Sequence, residues 1–369
     1  MPIKTAYSSK ATAREVAAEL SAGISESKPC LVIYFASARY DSAALSAELR
    51  SAFKEAVLIG CSTAGEIVSG RMLKHSVVAM GIGSDIIEDA AVEVVDSIRS
   101  ENHVPRALAA LERHFGARMA DMDTTTHVGL ILIDGMQGAE ERLMEKIGDL
   151  TNVTFVGGSA GDDLAFKRTH VCANGKAFTN AAVVAVLKLK KGFDIIKTQS
   201  FRSTGKTLKA NKVDEPNRIV LEFNNKPATT AYAEALGIGV ADVSGCFMSH
   251  PVGLISADGQ PYVRSPRLVK DGSMAFYCNI KEGMELSVLE STDIVSDTRE
   301  AVREKAESLG STAGMINFHC ILRTVELEQK GQTEAYGQIF SSIPTVGFST
   351  YGEQYIGHIN QTATILVFK

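Results

Sequence analysis

Three strong apolar runs punctuate the chain, at 30–37 (CLVIYFAS), 127–134 (HVGLILID) and 314–322 (GMINFHCIL). Each has strand length and β-branched content, with too little polar interruption for a strand that faces water on one side. A shorter β-rich run follows each one, at 57–59, 154–156 and 345–346, and leads straight into a Gly- and Ser-rich string. The strings are Gly60-Cys61-Ser62-Thr63-Ala64-Gly65-Glu66, Gly158-Ser159-Ala160-Gly161-Asp162 and Gly347-Phe348-Ser349-Thr350-Tyr351-Gly352-Glu353. Beyond each string, across a loop, comes another strand-like run, at 76–83, 181–189 and 362–369. Helix formers at helical spacing fill the gaps at 42–53 and 139–150, and precede each set at 11–20, 105–115 and 294–309.

The pattern therefore predicts an α/β fold with mixed β-sheets and helices. It is built from three similar strand–helix–strand–helix–strand–turn–strand units, at about 1–84, 85–190 and 284–369. Between the second and third units, 191–283 does not repeat. It carries Lys206, Lys209 and Lys212, a helix expected at 228–236, and strands expected around Tyr262 and Phe276. Two regions result, 1–220 with two units, and 221–369 with the insert and the third unit.

Composition narrows the function classes. The 369 residues are 45% hydrophobic and 22% charged with net charge −5, which gives no electrostatic footprint for nucleic acid. No run of 18 apolar residues occurs, and the N-terminal stretch has no apolar core of signal-peptide length, so the expectation is a cytoplasmic protein without membrane insertion. The six cysteines are scattered and none forms a C-x-x-C pair, which argues for reduced residues and against a zinc site.

Enzyme-like motifs are present but incomplete. Gly157-Gly158-Ser159-Ala160-Gly161 fits the G-x-S-x-G nucleophile elbow, yet the residues that follow read as loop and turn where a helix is needed. A serine hydrolase using Ser159 is the weakest reading, and no catalytic residue is assigned. Ser203-Thr204-Gly205-Lys206-Thr207 lacks the first glycine of a P-loop. None of the eight histidines has metal-pair spacing. His250 alone stands in an apolar string restricted by Pro251, where a neutral imidazole could ligate a metal. In the strand expected nearby, Tyr262 and Arg264 fall on one face and could hold a carboxylate-bearing ligand.

Taken together, the three Gly-rich strings, His250-Pro251-Val252-Gly253-Leu254 and Tyr262-Val263-Arg264 resemble the motifs of FIST proteins across essentially the whole chain. The resemblance implies an N-type FIST region over 1–220, a C-type region over 221–369, and a non-enzymatic small-ligand sensor of bacterial signal transduction. Members of about this size that lack a fused output domain include the nitric-oxide-sensing haemoproteins of the NosP type. By that likeness, non-covalent haem b would be ligated by His250, with Tyr262 and Arg264 lining the pocket. The partner would be a histidine kinase or a cyclic-di-GMP enzyme, and a homo-oligomer stays open. The alternative is an amino acid or another small metabolite as ligand, without haem. In either case the turns at Ser62, Gly65, Ser159, Gly161, Ser349 and Gly352 are expected to be structural or to touch ligand through the backbone.

Overall fold

A computed structural model describes residues 2–100, 103–256 and 259–369, and the chain divides into two compact units. One gathers the residues up to Thr198 with Thr298–His358 and Ala363–Lys369; the other is Gln199–Asp297 with Ile359–Thr362.

The first unit repeats one motif. Its first copy is β1 (Ile3–Ser8), α1 (Ala13–Ile24), β2 (Pro29–Ser37), α2 (Ser42–Ala52), β3 (Val57–Thr63), the hairpin β4 (Glu66–Val68) and β5 (Arg71–Leu73), and β6 (Val77–Gly83). Its second is β7 (Ile87–Val95), α3 (Val104–Phe115), β8 (His127–Ile133), α4 (Glu140–Leu150), β9 (Phe155–Ser159), the hairpin β10 (Val171–Ala173) and β11 (Lys176–Phe178), and β12 (Ala182–Leu189). A third copy opens with β13 (Phe193–Gln199) and is then interrupted. The interruption holds β14 (Phe201–Asp214), β15 (Ile219–Phe223), β16 (Lys226–Pro227), α5 (Ala228–Leu236), β17 (Val252–Ile255), β18 (Pro261–Arg264), β19 (Pro266–Lys270), β20 (Ser273–Phe276) and β21 (Glu285–Ser291). The third copy resumes with α6 (Ile294–Leu309), β22 (Gly314–Cys320), α7 (Ile321–Gln329), α8 (Thr333–Gln338), β23 (Thr345–Thr350), the hairpin β24 (Glu353–Tyr355) and β25 (His358–Ile359), and β26 (Thr362–Phe368).

Local chemistry sets several of these ends. Thr12 and Glu15 form a capping box at the start of α1, and the Asp41 carboxylate accepts the Ala44 N–H at the start of α2. Gly116, at φ 66°, closes α3.

Each copy contributes to a six-stranded sheet, and the three sheets share one topology: β1-β6-β2-β3-β10-β11, β7-β12-β8-β9-β24-β25 and β13-β26-β22-β23-β4-β5. The pairs β2/β3, β8/β9 and β22/β23 are parallel, as their connecting helices require. The outer hairpin of each sheet is borrowed from another copy. The first sheet takes the hairpin of the second copy, the second takes that of the third, and the third takes that of the first.

Period-2 alternation explains the unbroken apolar runs. Ile33 and Phe35, Leu130 and Leu132, and Ile316 and Phe318 all point into one shared core. There the Phe35 ring lies 4.5 Å from Phe348 and 6.3 Å from Phe318. The alternate residues face the helices: Val32 and Tyr34 lie in the core under α1 and α2, Ile131 and Ile133 in that under α3 and α4. In the third copy the helix-facing positions are the buried polar residues Asn317 and His319, both hydrogen-bonded to Tyr336 of α8.

The second unit is an eight-stranded antiparallel sheet, β18-β17-β21-β14-β15-β20-β19 with β16 on β15, and its core includes Tyr232 of α5, Phe247, Val252 and Phe276. Lys206, Lys209 and Lys212 are exposed on β14 while Leu208 and Ala210 turn inward. The sequence pattern placed the third repeat at 284–369 and ended the insert near 283. In the structure β21 belongs to the inserted unit, because it pairs with β14 (Leu208 opposite Leu286), and the third copy's first strand, β13, precedes the insert.

Candidate functional site

The Gly-rich turns meet in the first unit and are joined by a cyclic set of backbone hydrogen bonds. Ser62 C=O accepts the Gly161 N–H at 3.0 Å, Ser159 C=O accepts the Tyr351 N–H at 3.0 Å, and Ser349 C=O accepts the Ala64 N–H at 3.3 Å. In every case the donor stands two residues past the serine of another copy. The serine N–H groups are also engaged: Ser62 donates to His170 C=O, Ser159 to Gly352 C=O and Ser349 to Gly65 C=O. The glycines are there for space and for backbone angle. Gly65 and Gly352 have φ 137° and 154°, while a Cβ on Gly161 would stand 2.8 Å from the Ala64 nitrogen.

The three serine side chains are buried and partnered. Ser62 Oγ donates to Gly161 C=O and accepts the His170 N–H; Ser349 Oγ bonds Thr324 Oγ1 at 2.7 Å. Ser159 Oγ donates to Glu140 Oε1 at 3.1 Å and accepts from Gln354 Nε2 at 3.2 Å. β9 ends at Ser159 and no helix starts there, so the residue lacks the strand–helix bend of a nucleophile elbow. The arrangement joins strands. Sequence spacing had found these turns but not Glu140 and Gln354, which lie on α4 and β24 and carry no motif.

Buried carboxylates flank the turns, Glu66 and Asp162 among them. Glu66 accepts from Thr63 Oγ1 at 2.5 Å, Ser76 Oγ at 2.6 Å and Ser76 N–H at 3.0 Å, yet burial pushes its pKa up to about 7. Asp162 accepts the Tyr351 hydroxyl and the N–H groups of Phe166, Lys167 and Arg168. Burial works against its charge, but these donors hold its carboxyl below the usual range. They also fix a loop in which Asp163, Leu164 and Phe166 take φ of 53°, 65° and 50°.

His250, Tyr262 and Arg264 belong to the second unit. His250 sits between the short helix Val240–Cys246 and β17, half-buried, with Nδ1 2.9 Å from Ser249 Oγ and its C=O accepting the Tyr232 hydroxyl at 2.5 Å. Nε2 has no partner among the described residues. On β18, Tyr262 and Arg264 share the face opposite buried Val263 and stand across from Leu254 and Val252. Arg264 donates from Nε to Asn279 C=O at 3.1 Å and from Nη1 to Val263 C=O at 3.2 Å. His319, by contrast, is fully buried in the first unit, and burial, with Arg323 nearby, holds its pKa well below the usual imidazole value.

Among the described residues no group of three or more His, Cys, Asp or Glu side chains could hold a metal ion, and no helix is long and apolar enough to cross a membrane. All six cysteines are free thiols.

Comparison with known proteins finds two family models along the chain: the FIST N domain over residues 30–226 and the FIST C domain over 228–356. An uncharacterised protein of Methanocaldococcus jannaschii is 23% identical over 278 residues, which are 70% of this chain and 54% of that protein. The chain thus spans about half the length of the curated relative it matches. A solved structure of cyanuric acid hydrolase from A. caulinodans aligns over 100% of this chain and 98% of its own, at 11% identity and a TM-score of 0.33.

Proposed function

This chain belongs to the FIST family, whose N and C domains are small-ligand sensors of signal transduction, and we propose that it senses through haem b held without covalent attachment by His250. The observation that carries this reading is the state of the His250 ring: anchored at Nδ1 by Ser249, half-exposed, with Nε2 unpartnered among the described residues. That is how a protein presents an imidazole for axial ligation, since the bond at one nitrogen sets the tautomer at the other. Haem iron ligated by a single histidine supplies an open coordination position for nitric oxide.

The surroundings fit this group in part. Phe247 and Val252, which flank His250 along the chain, lie in the unit's own core, with Phe247 edge-on to Tyr232. Met248 and Leu254, both half-buried, remain as apolar neighbours. Arg264, with Nη2 unpartnered among the described residues, is the group for a propionate, and Tyr262 lies on its face. Tyr232, which holds the His250 carbonyl, ties any movement of that residue to α5. A cytoplasmic histidine kinase, or a cyclic-di-GMP enzyme, is the partner this reading requires.

A second reading is favoured by Arg264 itself. A guanidinium held by two backbone carbonyls is pre-organised for a carboxylate, so an amino acid could take the place of haem. Titration of haemin into wild-type and His250→Ala protein separates the two. Haem binding at His250 gives a Soret band that shifts or disappears in the variant and returns with added imidazole. An unchanged band in the variant would show that the wrong histidine has been chosen. Absence of haemin binding, together with stabilisation by an amino acid that Arg264→Ala abolishes, establishes the second reading.

A further inference from the structure

We propose that the first unit holds a separate site for a small phosphorylated compound, in the depression where its first two copies meet. The depression has a volume of about 470 Å³ and is walled by 38–43, the loop from β2 into α2, and by Arg168, His170, Ala177 and Thr179 of the second copy. That volume is in the range of small-ligand sites. Its place is one where α/β sheets take ligands: outside the carboxyl end of β2, which runs parallel to β3 with Ser37 opposite Thr63. Beyond β3 the sheet continues with β10, so the strand that closes this end is one borrowed from the other copy.

The chemistry of the wall is cationic. The charge comes from Arg39 and Arg168, with the His170 ring beside them, and among the described residues lining it the one carboxylate, Asp41, is already accepting the Ala44 N–H as the cap of α2. Arg39 is held over the Tyr40 ring at 4.8 Å and donates to Ser9 and Lys10 carbonyls, which fixes its direction. Arg168 and His170 are placed by the loop that Asp162 organises through three backbone N–H groups, the last of them that of Arg168 itself. Non-glycine residues at Asp163, Leu164 and Phe166 carry left-handed backbone there. Strain of that kind persists only where surrounding structure enforces it. Two guanidiniums and an imidazole around one concavity match a phosphoryl dianion, with bidentate contacts available from arginine.

His170 also reports on occupancy. Burial and Arg168 lower its pKa, while Asp134 and Asp41 act in the opposite direction. A bound dianion adds negative charge beside the ring and therefore raises its midpoint. The backbone of His170 brackets Ser62 through both its N–H and its C=O, so the site is joined to the ring of serine turns.

The test uses the full chain and inorganic phosphate as probe. Imidazole NMR signals, assigned with His170→Gln, are followed while phosphate is added at constant ionic strength maintained with chloride. The expected result is a saturable shift and a higher His170 midpoint at saturation, weakened about tenfold or more in Arg168→Ala. Arg168 is exposed, so an unchanged melting temperature would verify that the variant is folded. The proposal is overturned if phosphate gives no saturable shift, if Arg168→Ala binds as wild type, or if acetate saturates the site where phosphate does not. His250→Ala leaves phosphate binding unchanged, which keeps this result independent of the haem titration.

Discussion

Glu66 and Gly352 illustrate how much a single position near the turns costs or contributes. Glu66 is almost fully buried and its pKa stands at about 7, so the folded state favours the neutral acid. The sign follows directly. A carboxyl raised above its unfolded value of 4.5 contributes stability that is complete below pH 4.5 and lost as pH rises through about 7. The size is on the order of 3 kcal/mol, since each pKa unit is worth about 1.4 kcal/mol. Denaturant unfolding at pH 5 and pH 8 should therefore show wild type losing stability that Glu66→Gln retains; equal pH dependence in both proteins would contradict the assignment. Gly352 sits at φ 154°, and a methyl group there would overlap the His358 ring. Gly352→Ala should cost about 1–3 kcal/mol, seen as a lower urea midpoint, and a midpoint within error of wild type would refute the packing argument.

At the scale of elements, the borrowed hairpins make the three copies interdependent, because no sheet is completed by its own copy. The amides that link them, Ala64, Gly161 and Tyr351, should exchange with solvent only in global unfolding, and at closely similar rates. Exchange of any of them at loop rates would mean that the turns are local features. Sequence periodicity read the apolar strands and the turns well, because a strand buried on both faces leaves a long uninterrupted run and a cramped turn demands glycine. It could not read the exchange of hairpins. β4, β10 and β24 are three residues long, too short to carry a period, and their partners are set by tertiary packing. Nor could it see the depression at Arg168 and His170, whose wall comes from two copies and belongs to no motif. In the sequence His250 stands out because Pro251 and its apolar neighbours mark it, whereas the burial of Phe247 and Val252 in their own core depends on α5, which sequence placed but could not orient.

At the scale of the whole molecule, a sensor acts only through a difference in what its liganded and free states bind. If haemin occupancy changes the affinity for the proposed partner kinase by some factor, the kinase must change haemin affinity by the same factor, because both describe one thermodynamic cycle. Couplings between such sites typically amount to a factor of about 5 to 150. The prediction is therefore quantitative without knowledge of the path between the sites. Kinase affinity measured for apo and haemin-loaded protein should differ by the factor that separates haemin affinities with and without kinase. Since kinase rates are not bound by this reciprocity, autophosphorylation is the wrong quantity to compare, and equilibrium binding must be used. His250→Ala should remove the haemin-dependent difference while leaving apo protein able to bind the kinase. A kinase affinity that does not respond to haemin, with haemin bound at His250, would separate binding from signalling and rule out this partner as the reader of the ligand.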